Sequence, residues 1–107
     1  MEKPNLTYIE KLARGDESIK KTLIDVIKNE FPGEKEEYYQ NLKNKDLKSI
    51  EGNVHRIKHK FSILGLEKSY EMANEFEHNL RKQVLNIEEE QGFDKALRAI
   101  SEYLKTI

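Results

Sequence analysis

The chain has no cysteine. That one absence excludes disulfides, thiolate zinc sites and cysteine nucleophiles together. Apolar residues are also sparse, at 36% of 107 residues, and no apolar run approaches the roughly 20 residues a membrane helix requires. The opening Met1-Glu2-Lys3-Pro4 lacks the basic-then-apolar order of a signal peptide. Neither charge dominates: the formal net charge is −1, with both signs interleaved along the chain, which gives no support to nucleic-acid or anionic-membrane binding. No segment alternates with period two over a useful length, and there is no internal repeat, linker or low-complexity tract. What remains is a charged chain, 36% Asp, Glu, Lys and Arg, of the size of one small domain. A soluble protein of the cytoplasm is the expectation.

Helical periodicity is plentiful. Thr7 is a candidate cap for a short helix carrying Tyr8, Ile9, Leu12 and Ala13, which Gly15 stops. Asp16 caps the next, with Ile19, Leu23, Val26, Ile27 and Phe31 as its apolar stripe. Pro32-Gly33 marks a break or a kink, after which Tyr38, Tyr39 and Leu42 carry the pattern to Lys43. Asn44-Lys45-Asp46 is a turn whose aspartate caps a helix running to Leu64-Gly65. Leu66 to about Gln83 follows, with Leu66, Tyr70, Ala73, Phe76, Glu77 and Leu80 at mixed threes and fours. Beyond Asn86, Phe93, Ala96, Leu97, Ile100 and Leu104 make a last amphipathic helix, its Glu88-Glu89-Glu90 run favourable near a helix N-terminus. The expected fold is all-α: an up-down antiparallel four-helix bundle with a short additional N-terminal helix, forming one domain over 1–107.

The segment His-Arg-Ile-Lys-His-Lys-Phe-Ser-Ile-Leu-Gly-Leu, residues 55–66, is the most informative. Val54, Ile57, Phe61 and Leu64 point one stripe at a core and leave His55 near the solvent side, with Lys58 one turn along. An exposed imidazole beside an ammonium suits a phosphate-accepting histidine. Glu51, at i−4, is placed to accept a hydrogen bond from one ring nitrogen and fix the tautomer. Gly52, at i−3, costs the helix about 1 kcal/mol relative to alanine, and clearance beside the histidine is one reason for it. A surface lysine and surface histidine with no such role would also show His-x-x-Lys, so the spacing alone does not decide.

The wider register resembles the histidine-containing phosphotransfer (HPt) domain of two-component signalling. That family's motif is similar to His-x-Leu-Lys-Gly-Ser-x-x-x-Leu-Gly, and His55, Ile57, Lys58, Leu64 and Gly65 fall in place. Phe31-Pro32, Leu42 and Asp46 resemble its preceding helix and loop, and Ala73 through Glu77 its Ala-x-x-Leu-Glu helix, with Phe76 in the leucine position. The similarity spans about Ile19 to Leu80. It implies a phosphocarrier that takes a phosphoryl group on His55 from a receiver-domain aspartate and passes it to another, with Lys58 stabilising charge and Gly52, His59 and Ser62 bordering the docked partner. It implies no cofactor of its own and no ATP site, Mg²⁺ being supplied by the receiver. The partners would be response-regulator receivers and a hybrid histidine kinase, and the chain a monomer.

One position departs from the family. His59 stands where a glycine is usual, one turn from His55 on the same face. A bulky ring there leaves a second reading open, that of a non-transferring module docking a receiver or kinase with the same face. His55-x-x-x-His59 also has metal-ligand spacing, but two ligands are not a site, and His78 lies on another helix. No metal is expected.

Overall fold

The computed structural model describes residues 2–107; Met1, the first residue of the expected domain, lies outside them. The described residues form five helices: α1 (Thr7–Ala13), α2 (Glu17–Asn44), α3 (Leu47–Ile63), α4 (Glu67–Arg81) and α5 (Ile87–Leu104). Among the described residues there is no strand, so the all-α expectation holds. None of their helices is long and apolar enough to cross a membrane.

The polar punctuation explains most helix ends. Asp16 accepts from the Ser18 and Ile19 backbone amides, Asp46 from that of Ser49 and Asn86 from that of Glu89, each satisfying donors that a helix start leaves free. Thr7 is not a cap. Leu6 holds that position, and the Asn5 side-chain oxygen accepts from the Thr7 amide instead, at 3.1 Å. Pro32 does not break the chain into two helices: α2 runs through it, although proline has no N–H to donate back to the Lys28 carbonyl. Gly65, at φ +79°, ends α3 with the Leu66 amide bonded back to the Phe61 carbonyl. A Cβ at Gly65 would also collide with the Asn5 side chain, whose own backbone amide is bonded to the Leu64 carbonyl.

The buried side chains form one cluster contributed by all five helices. Helix α3 lies between α2 and α4, α4 packs on α5, and α1 on α2. Its stripe of Val54, Ile57, Phe61 and Leu64 is fully buried, as its spacing demanded. Phe93 of α5 meets Tyr38, Phe61 and Phe76 with ring centroids 4.9–5.5 Å apart, tying α2, α3 and α4 to one aromatic centre. The α2 stripe is only half right. Ile27 and Phe31 are buried, but Ile19 and Val26 are both 46% exposed, because at about 100° per residue they lie roughly 100° round the helix from the face that Ile27, Phe31 and Tyr38 bury.

Candidate functional site

Helix α3 presents Gly52, His55, His59 and Ser62 along one face, at spacings of three, four and three, and all four are exposed. Nothing stands within 4 Å of where a Gly52 Cβ would be, so this stretch of the face is flat and open. The His55 side chain is 58% exposed. His59 sets its ring edge-on to that of His55, with centroids 5.3 Å apart and planes at 89°.

Beneath that face lies Glu77 of α4, 3% exposed. Its Oε2 is 3.0 Å from His55 Nδ1 and its Oε1 is 2.8 Å from Lys58 Nζ. Arg81, one turn further along α4, also bonds Oε2. Burial pushes the Glu77 carboxyl up, but the hydrogen bonds and charges of Lys58 and His55 outweigh it and hold it below the usual carboxylate range. An ionised carboxylate only accepts, so His55 Nδ1 carries the proton and donates it. In the neutral ring the lone pair is then on Nε2, which has no hydrogen-bond partner among the described residues.

Two sequence expectations change here. Glu51 does not take the ring hydrogen bond; its Oε1 is 3.3 Å from Arg81 Nε, and Glu77 has the role that i−4 geometry assigned to Glu51. Lys58 is not an exposed neighbour of His55. It is 9% exposed, donates to Asn74 Oδ1 at 2.7 Å, forms an ion pair with Glu77, and has its Nζ 5.7 Å from the Tyr70 ring centroid. Three residues past His55 the helix has turned Lys58 into the seam with α4, where only a buried anion makes an ammonium tolerable. Sequence reasoning placed Glu77 in a motif but gave it no role. The signal was available: it is the lone carboxylate inside the α4 stripe of Ala73, Phe76 and Leu80, all buried.

A shallow cleft of about 440 Å³ opens beside the imidazole, lined by His55, Lys58, Asn74, Glu75, Glu77, His78 and Arg81. His78 and Arg81 thus join the site from the second helix. Among the described residues, no group of three or more His, Cys, Asp or Glu side chains stands close enough to hold a metal ion. The arrangement provides one nucleophilic nitrogen at the surface, a fixed tautomer behind it and cations at its side. No family model, curated protein or solved structure matches this chain.

Proposed function

We propose that this chain is a histidine phosphotransfer domain. One observation carries the reading: an exposed imidazole whose Nδ1 is held by a buried, ionised carboxylate, leaving Nε2 without a protein partner among the described residues. In the transfer, the Nε2 lone pair attacks phosphorus of a receiver's aspartyl phosphate. The P–O bond breaks and its electron pair stays with the aspartate carboxylate. Return of the group to a second receiver reverses these steps. Such a reaction is mostly positioning and charge compensation. Glu77 holds the nucleophile in the attacking tautomer and offsets the positive charge that develops on the ring. Lys58 holds Glu77 ionised, so it acts on His55 through that carboxylate. The receiver brings Mg²⁺ and the aspartate.

Residues 1–107 act in this reading as one HPt-like domain, an up-down antiparallel four-helix bundle preceded by a short helix. It is a monomeric phosphocarrier of the cytoplasm and makes no phosphohistidine from ATP itself. Receivers of response regulators, and of a hybrid histidine kinase, dock over Gly52, His55, His59 and Ser62. A flat glycine and a hydroxyl either side of the histidines leave room for that contact.

The His59 ring favours a second reading, since it covers one side of His55. In that case the same face docks a receiver without accepting its phosphate. Incubation with phosphorylated receivers separates the two. Transfer gives an acid-labile, alkali-stable label on this chain that disappears in His55→Gln. Binding of receivers with no label on the wild-type chain would establish the docking module, and label retained in His55→Gln would overturn the assignment of the nucleophile.

A further inference from the structure

Lys58 is the cation the sequence offers to a phosphoryl group on His55, yet its place in the fold keeps it from leaving its partners. It is buried, and withdrawing it would strand Glu77 as a poorly compensated anion. Arg81 is placed differently. Its side chain is 57% exposed, and it shares the carboxylate oxygen Glu77 Oε2 with His55 Nδ1, so guanidinium and imidazole are immediate neighbours. Its other anchor, Glu51 Oε1 at 3.3 Å, is a partly exposed carboxylate one helical turn before His55. Exposed pairs of that kind are weak and readily exchanged.

Charge balance points the same way. Glu51 and Glu77 are matched by Lys58 and Arg81, and Glu75, which also lines the cleft, adds a further carboxylate, so an arriving anion has no cation there to itself. A phosphoryl group would add roughly two negative charges at the rim of the cleft that Arg81 and His78 line. A guanidinium also meets phosphate oxygens in a paired, planar geometry that a lysine cannot supply.

We propose that Arg81 is a phosphoryl-binding residue held in reserve by Glu51, and that phosphorylation of His55 draws its guanidinium from Glu51 onto the phosphoryl oxygens. The proposal rests on the phosphotransfer reading. Glu51 then acts as a latch: it parks the cation while the histidine is bare and gives it up when a stronger anion arrives. Glu77 keeps hold of both partners throughout.

The test needs no receiver. Potassium phosphoramidate phosphorylates accessible imidazoles: Nε2 attacks phosphorus, and the P–N bond breaks with its electron pair leaving on ammonia. The phosphoryl group's own ionisation is then followed by ³¹P NMR, with the His55 signal assigned by its loss in His55→Gln. A bound cation favours the dianion, so Arg81→Gln should raise that ionisation by about half a pH unit, and Arg81→Lys should recover part of the shift. Glu51→Gln should lower it, and by less in the Arg81→Gln background, because no guanidinium remains to be released. Circular dichroism on each variant verifies that these exposed changes leave the helices intact. An unchanged titration in Arg81→Gln overturns the proposal, as does a Glu51→Gln shift of equal size with and without Arg81; either leaves the phosphotransfer reading standing. If neither phosphoramidate nor a phosphorylated receiver labels His55, both fall together.

Discussion

Lys58 and Lys60 sit two residues apart on α3, and both are buried with glutamates as partners, but they face opposite seams. Lys58 reaches α4, where its one carboxylate partner, Glu77, also holds His55 and Arg81. Lys60 reaches α2, where it has two carboxylates to itself, Glu34 at 2.8 Å and Glu30 at 3.1 Å. The α2 seam is redundant and only structural, since Glu30 is well exposed and losing it leaves Lys60 paired. In the α4 seam Lys58 and His55 have no second anion among the described residues, because the single buried carboxylate of Glu77 serves both of them and Arg81 as well. The same physical solution to a buried lysine is thus scaffold on one side of the helix and, in our reading, chemistry on the other.

The sharpest way to break this contrast is to remove one carboxylate from each seam. Glu77→Gln leaves Lys58 buried without its anion, and such losses cost about 3–5 kcal/mol. Glu30→Gln should cost under about 1 kcal/mol, since its contact with Lys60 is solvent-exposed. Urea unfolding measures both. The Glu77→Gln variant should also lose at least about tenfold in labelling from a phosphorylated receiver, because the imidazole is no longer held in one tautomer. Equal stability losses in the two variants would erase the distinction between the seams.

Substituting the lysines themselves gives a subtler comparison. Lys58→Met and Lys60→Met both replace a buried ammonium with an apolar side chain of similar length. Lys58→Met should slow labelling several-fold, whereas Lys60→Met should leave it unchanged. This revises what an exposed Lys58 would imply, because the effect now passes through Glu77. A Lys60→Met chain that folds normally but transfers as slowly as Lys58→Met would show that the site extends across α3.

Acid titration probes the same carboxylate. The Glu77 carboxyl lies below its ordinary value of 4.5 in the folded chain. Its contribution to stability is therefore complete above about 4.5 and lost as pH falls through the lower folded value. Stability of the wild-type chain should drop over that acid range, and Glu77→Gln should flatten the drop. Parallel acid limbs for the two chains would contradict the depressed ionisation.

The smallest effect is expected at Gly52. Nothing crowds a Cβ there, so Gly52→Ala should stabilise α3 by about 0.5–1 kcal/mol in thermal unfolding. If a partner docks closely over His55, the same methyl should slow transfer while raising stability. An increase in stability with unaltered transfer would remove Gly52 from the docking face.

Much of this was legible along the chain. Asp16, Asp46, Asn86 and Gly65 mark helix boundaries because capping is local chemistry, written in one residue and its near neighbours. The exposed row of Gly52, His55, His59 and Ser62 follows from helical pitch and the position of Val54, Ile57 and Phe61. Thr7 misled because Asn5, fixed against the α3–α4 turn, supplied the acceptor first. Ile19 and Val26 misled because spacings of three and four tolerate a wide stripe, and only packing shows that Ile27, Phe31 and Tyr38 mark its buried centre.

By itself the sequence determined five amphipathic segments, the N-caps of three of them, and a histidine turned away from the apolar stripe, since each depends on contacts within a few residues. Only the tertiary structure decided which carboxylate meets that histidine. Helical spacing pointed to Glu51, and the α4 stripe marks Glu77 as a carboxylate on a buried face without saying which group it meets. Packing α4 against α3 buried Glu77 between Lys58 and His55, and sent Glu51 to Arg81. A contact across 22 residues of chain depends on how two helices rotate and slide against each other, and no local periodicity carries that information.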